Sequence, residues 1–158
     1  MSELIKRTLT GLIFITIIIG AILWNKFSVG IIFLLISIFG LIEFFKLMEK
    51  AGFKPKKSIV SIVGAVIYSI LFLYSLDPIY FKLLFILFPL LVLIVALELF
   101  RKNETPISNI AFSIMGILYV VVPFALLNFF AYGNSDNTII KIVSPNHPAY
   151  LLLGFFII

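Results

Sequence analysis

Cysteine is absent from the 158 residues, which removes disulfides, thiolate metal sites and a cysteine nucleophile from consideration. Histidine occurs once, as His147 between Asn146 and Pro148. With no second histidine or carboxylate at a metal-ligand spacing, it reads as a solvated loop residue. Charge is scarce at 12% of residues. There is no Gly-rich phosphate loop, no HExxH, no Asp-rich cation motif and no plausible Ser/His/Asp set, so no local motif activates a nucleophile or holds a nucleotide. The residues by themselves therefore name no reaction.

What is abundant is apolar surface. Hydrophobic residues make up 63% of the chain and its mean hydropathy is +1.25, whereas a soluble domain carries roughly 45–50% apolar residues. Eighteen Phe, six Tyr and one Trp among so few polar groups leave too little polar surface to face water. Soluble enzyme, disordered tail and nucleic-acid-binding module are all poor readings. Strands of a membrane β-barrel alternate polar and apolar residues over about 10 positions, and the runs here are unbroken and nearly twice as long. The fold class is all-α, a polytopic transmembrane helical bundle.

Five full spans follow from the runs and their punctuation, each near the roughly 20 residues that cross a bilayer core. The first runs from about Leu9 to Trp24 and the second from about Phe27 to Met48, joined by Asn25 and Lys26 in a tight antiparallel hairpin. Gly52 is the φ-permissive residue expected just past a helix end, and Pro55 prevents resumption. The third span covers about Ser58 to Leu76. Asp77-Pro78 reads as an N-cap with a first-turn proline and opens the fourth, about Ile79 to Phe100. Thr105-Pro106 repeats that signal for the fifth, about Ile107 to Ala131, which exits through the polar stretch Gly133 to Pro148. The nine residues Tyr150 to Ile158 supply about 14 Å of helix and read as a truncated sixth span. All of residues 1–158 form one transmembrane domain in this reading. Lys6 and Arg7 precede the first run, yet no small-x-small cleavage pattern follows, so a retained anchor is expected rather than a signal peptide.

Sidedness comes from the basic residues. Lys6, Arg7, Lys46, Lys50, Lys54, Lys56, Lys57, Arg101 and Lys102 fall on one side, against Lys26, Lys82 and Lys141 on the other. The N-terminus is therefore expected in the cytoplasm. The net charge of +5 (12 − 7) is explained without nucleic acid, and the electrostatic partner expected is anionic membrane lipid.

Two acids stand within spans, where ionised groups are costly. Glu43 begins Glu43-Phe44-Phe45-Lys46 and Glu98 begins Glu98-Leu99-Phe100-Arg101, each about one turn inside the cytoplasmic end, and Lys102 offers Glu98 a second cation at i, i+4. These acids read either as interfacial salt bridges or as part of a site for a lipid phosphate or a cation. Pro89 and Pro123 lie mid-span and each removes a backbone hydrogen bond. Phe33, Ser37, Gly40 and Phe44 share one face of the second span, and Ser61 with Ala65 makes a small-xxx-small pair on the third. Mid-span polar atoms are mostly hydroxyls, as at Ser37, Tyr68 and Ser69, which weakens a transporter reading.

The order of these features resembles the N-terminal half of the phosphatidate cytidylyltransferase (CDP-diglyceride synthetase) family. The resemblance rests on Lys6-Arg7-Thr8-Leu9-Thr10-Gly11, on Glu43-Phe44-Phe45, on Glu98-Leu99-Phe100-Arg101-Lys102, and on Gly116-Ile117-Leu118-Tyr119 with Pro123; Leu151-Leu152-Leu153-Gly154 looks like the family's next helix. It implies an enzyme of the bacterial inner membrane that transfers a cytidylyl group from CTP to phosphatidate with Mg²⁺. Family members place that chemistry in a C-terminal signature that is not among these residues, so no catalytic or metal-binding residue carries over and the fragment alone is expected to be inactive. Lys6, Arg7 and Arg101 are the candidates for lipid headgroup contacts, with Glu43 and Glu98 as intramembrane acids of functional interest. The competing reading is a non-enzymatic membrane scaffold or transporter subunit. Oligomeric state, a homo-oligomer included, is left open.

Overall fold

A computed structural model describes residues 3–101, 103 and 105–132, with side chains from Ile5 to Phe129 except that of Lys6. Among the described residues every regular element is helical. Helix α1 (Glu3–Trp24) and helix α2 (Lys26–Lys50) are separated only by Asn25, whose extended backbone turns the chain back on itself. Helix α3 spans Lys57–Leu76. A 3-10 helix over Pro78–Ile86 continues as helix α4, Leu87–Leu99. Helix α5 (Pro106–Gly116), a π-helical segment (Ile117–Val121) and helix α6 (Val122–Tyr132) run on as one rod. Five stretches are long and apolar enough to cross a membrane: Arg7–Trp24, Lys26–Lys50, Lys57–Leu76, Pro78–Leu99 and Pro106–Phe129. The chain is thus a polytopic helical membrane protein. The run Tyr150 to Ile158, the polar stretch with His147 and Lys141, and Lys102 lie outside the described residues.

Local chemistry sets most of the ends. At the close of α2, Gly52 adopts φ +92° and donates to the Glu49 carbonyl at 3.1 Å, while the Phe53 amide donates to Met48 at 3.0 Å. This is a Schellman arrangement, which satisfies the last carbonyls and bends the chain away. Asp77 caps the next element, its Oδ1 accepting from the Ile79 amide at 2.9 Å ahead of Pro78. Thr105 does not act in that way: its side chain makes no capping bond, and Pro106 alone marks the start of α5.

The two mid-span prolines sit at changes of helical register. Pro89 lacks the N–H that would bond the Phe85 carbonyl, and the chain passes from 3-10 to α geometry at Ile86–Leu87. Pro123 likewise frees the carbonyl of Tyr119, which lies inside the π-helical segment.

The core lies between α2, α3 and the α5–α6 rod. Helix α2 buries Val29, Phe33, Ser37, Leu41 and Phe45 at every fourth position, and α3 buries Val60, Val63, Gly64, Ile67 and Tyr68 against them. Close approach is permitted by Gly64 and Gly116, where a Cβ would stand 3.1 Å and 3.0 Å from the two methyls of Leu41. Ser61 and Ala65, the small pair expected from sequence, are only half-buried. One polar cluster is set in this core: the Tyr68 hydroxyl donates to the Gly30 carbonyl at 2.8 Å and accepts from Asn128 Nδ2 at 2.9 Å. With no water in the hydrocarbon to compete, such a chain fixes the mutual depth of α2, α3 and α6. Helix α4 is peripheral and buries only Ile94 and Glu98.

Candidate functional site

The α2–α3 linker and the α4–α5 connection meet at one end of the bundle, and the contacts that hold them together begin with Glu98. Its side chain is 3% exposed, and its Oε1 lies 3.4 Å from Arg101 Nη1 and 3.4 Å from Asn103 Nδ2. Ile94 and Glu98 are one helical turn apart, so the acid points inward with the apolar face of α4. A carboxylate buried there needs a cation, and Arg101 supplies it from the next turn. The same Nη1 donates to the carbonyl of Lys54 at 2.8 Å. The Lys54 amide in turn donates to Asn109 Oδ1 at 3.0 Å. The Phe53 ring packs on Phe112 with centroids 4.5 Å apart. The linker is clamped to α4 and α5 by these three interactions, and Pro55 within it is buried.

Above the clamp opens a cavity of about 410 Å³ whose polar lining is Glu49, Lys54, Lys56, Lys57, Ser58 and Arg101. Lys57 Nζ pairs with Glu49 at 3.0 Å, and Arg101 pairs with Glu98. Lys54 and Lys56 have no acidic partner among the described residues. Helix α3 starts in this cavity. Its N-cap, Lys56, makes no capping bond, and its first turn contains no acid. Helix starts ordinarily carry Ser, Asp or Glu to satisfy their amides and their partial positive charge. This one carries lysines instead, so its electrostatics call for an anion.

Of the residues expected from sequence, Arg101 and Glu98 come together here. Arg7 is exposed on α1 and does not line the cavity, and the side chain of Lys6 lies outside the described residues. Glu43 is exposed and forms no ion pair with Lys46 among the described residues. Its position explains this, since Glu43 falls two residues, about 200°, beyond Leu41 and so points away from the buried face of α2. Asn109 and Asn128 were not singled out from sequence. An amide inside an apolar run, as in Leu127-Asn128-Phe129, was the available signal. No group of three His, Asp or Glu residues suited to a metal ion occurs among the described residues.

The architecture at this point is that of a helical membrane protein with a basic cavity at one end. Residues 5–152 match a model of the cytidylyltransferase family. The match covers nearly the whole chain, and the chain belongs to the cytidylyltransferase family. Membership makes it a CTP-using nucleotidyltransferase of the membrane. Comparisons with curated proteins and with solved structures find no match.

Proposed function

We propose that this chain serves the transfer of a cytidylyl group from CTP to phosphatidate, giving CDP-diacylglycerol and pyrophosphate for phospholipid synthesis. A phosphate oxygen of phosphatidate attacks the α-phosphorus of CTP, the bond from that phosphorus to the bridging oxygen breaks, and pyrophosphate leaves. The observation that carries this reading is the basic cavity at the ends of the spans, in a chain of this family: headgroup level is where a lipid phosphate and a water-borne nucleotide meet. The bundle then houses the acyl chains, and the basic end receives the phosphates.

Mg²⁺ belongs to the reading, but the described acids do not fit it. Glu49 is paired with Lys57, Glu98 is buried under Arg101, Glu43 is exposed alone, and Asp77 caps the far end of the bundle. No step is assigned to a metal here, and the catalytic residues are sought outside the described ones.

Two experiments test the proposal. In membranes carrying the intact gene product, CTP labelled at its α-phosphate is expected to pass label into lipid only when phosphatidate is supplied. Label moving to a different lipid acceptor, with phosphatidate ignored, overturns it. The orientation proposed with it puts the N-terminus and the 50–57 linker in the cytoplasm of a bacterial inner membrane. A reporter fused in that linker is expected to be active inside the cell, and activity on the outer face reverses the topology.

A further inference from the structure

We propose that the cavity between the α2–α3 linker and the end of α4 is a binding site for a terminal phosphate dianion, with Lys54 and Lys56 as its charge partners. The identity of a lipid occupant rests on the function proposed above; the site itself rests on the charges and amides around it. Four cations and one acid line the cavity. Glu49 neutralises Lys57 at 3.0 Å, and Glu98, just below, neutralises Arg101. Two positive charges, those of Lys54 and Lys56, are left over among the described residues, which equals the charge of a fully ionised phosphomonoester.

The backbone offers donors to match. The Lys57 amide is occupied by the Pro55 carbonyl at 2.8 Å, and the Val60 amide by Lys56 at 3.0 Å. Between them, the amides of Ser58 and Ile59 have no acceptor among the described residues, and both residues line the cavity. Free first-turn amides at the positive end of a 20-residue helix, with a serine hydroxyl beside them, form a phosphate cradle. Placing Lys56 and Lys57 at that end is unfavourable for an isolated helix, because cations there oppose the dipole. The arrangement is relieved when a dianion occupies the cavity. The linker is also held in shape beforehand by the Arg101 to Lys54 and Lys54 to Asn109 bonds, so binding orders little new chain.

The test is equilibrium binding to the chain in phosphatidylcholine nanodiscs. A short-chain phosphatidate is titrated in one arm, short-chain phosphatidylglycerol in a second, and inorganic phosphate and CTP in a third. Phosphatidate is expected to bind more tightly than phosphatidylglycerol, whose phosphodiester carries one charge. The double variant Lys54→Gln with Lys56→Gln is expected to weaken phosphatidate about tenfold or more, the loss of charged hydrogen bonds. The control Lys46→Gln with Lys50→Gln removes the same charge from the same end, outside the cavity, and is expected to change affinity by no more than about twofold. If the cavity variant instead weakens inorganic phosphate or CTP and leaves phosphatidate untouched, the dianion site stands and its occupant is water-borne. Equal losses from both double variants, or equal binding of the two lipids, overturn the site in favour of a diffuse basic surface. Unchanged helical circular dichroism in the cavity variant separates lost binding from lost fold. Because no turnover is read, the binding result stands apart from a failure of the proposed reaction, and affinities for phosphatidate, phosphate and CTP all unchanged by the cavity variant sink the site alone.

Discussion

Replacing Arg101 with methionine is expected to destabilise the bundle by about 3–5 kcal/mol, the cost of leaving a buried carboxylate without its cation. Glu98 has a 3% exposed side chain and keeps only Asn103, at 3.4 Å, once the guanidinium is gone. The reciprocal change is milder. Glu98→Gln keeps the shape and leaves Arg101, which is 33% exposed and still bonded to the Lys54 carbonyl, within reach of water. About 1 kcal/mol is expected there, the net worth of an ordinary hydrogen bond. Combining Arg101→Met with Glu98→Gln removes the stranded charge and is expected to recover much of the larger loss, a coupling that a double-mutant cycle reads directly. Unfolding midpoints in mixed micelles provide the measurement. Equal effects from the two single changes would show that the pair is not holding α4 in this asymmetric way.

Leu41→Ala is the other change expected to cost heavily, about 2–5 kcal/mol, as for large-to-small substitutions in a closed core. Leu41 is fully buried, and each of its methyls sits over a glycine, Gly64 on one helix and Gly116 on another. Neither glycine has a side chain to move into the vacated space, so the cavity cannot close by rotamer changes at those positions. Gly64→Ala alone brings a methyl to 3.1 Å from Leu41 Cδ2 and 3.2 Å from Val121 Cγ2 and is expected to cost about 1–3 kcal/mol through overpacking. Together the two changes are expected to cost clearly less than their sum, since the new methyl enters the hole left by the old one. Strict additivity in the same unfolding assay would place the glycine and the leucine in separate contacts.

The helices were legible because hydropathy runs, prolines and caps are local. Asp77-Pro78 and Gly52 mark the ends they were expected to mark. The 2.8 Å bond from Arg101 to Lys54 puts the two most basic connections at the same end of the bundle, as an antiparallel order of helices requires. What stayed hidden depends on partners far along the chain. Tyr68 and Asn128 are 60 positions apart, and Lys54 and Asn109 are 55 apart. Glu43 and Glu98 have matching neighbours in sequence, yet one is exposed and the other buried, because burial is decided by phase relative to the packed face. The sequence put Phe33, Ser37, Gly40 and Phe44 on one face, whereas the fully buried stripe runs through Phe33, Ser37, Leu41 and Phe45, with Gly40 and Phe44 half-buried beside it. The cavity was not readable, since a lysine in a basic loop looks the same whether it faces open water or a pocket.

The π-helical segment gives the fifth crossing a property that its length alone does not. Buried positions recur at Asn109, Ser113, Ile117, Val121 and Ala125, four residues apart, and in an unbroken α-helix each such step overshoots by about 40°, so the seam would drift by about 160° along the rod. Five residues of wider winding take back roughly 90° of that, which keeps Asn109 beside the linker while Asn128 still meets Tyr68. The segment works as a phase shifter between the two leaflets. Inserting or deleting a single residue there would leave the rod long enough to cross, yet swing one of its two asparagines about 100° out of alignment.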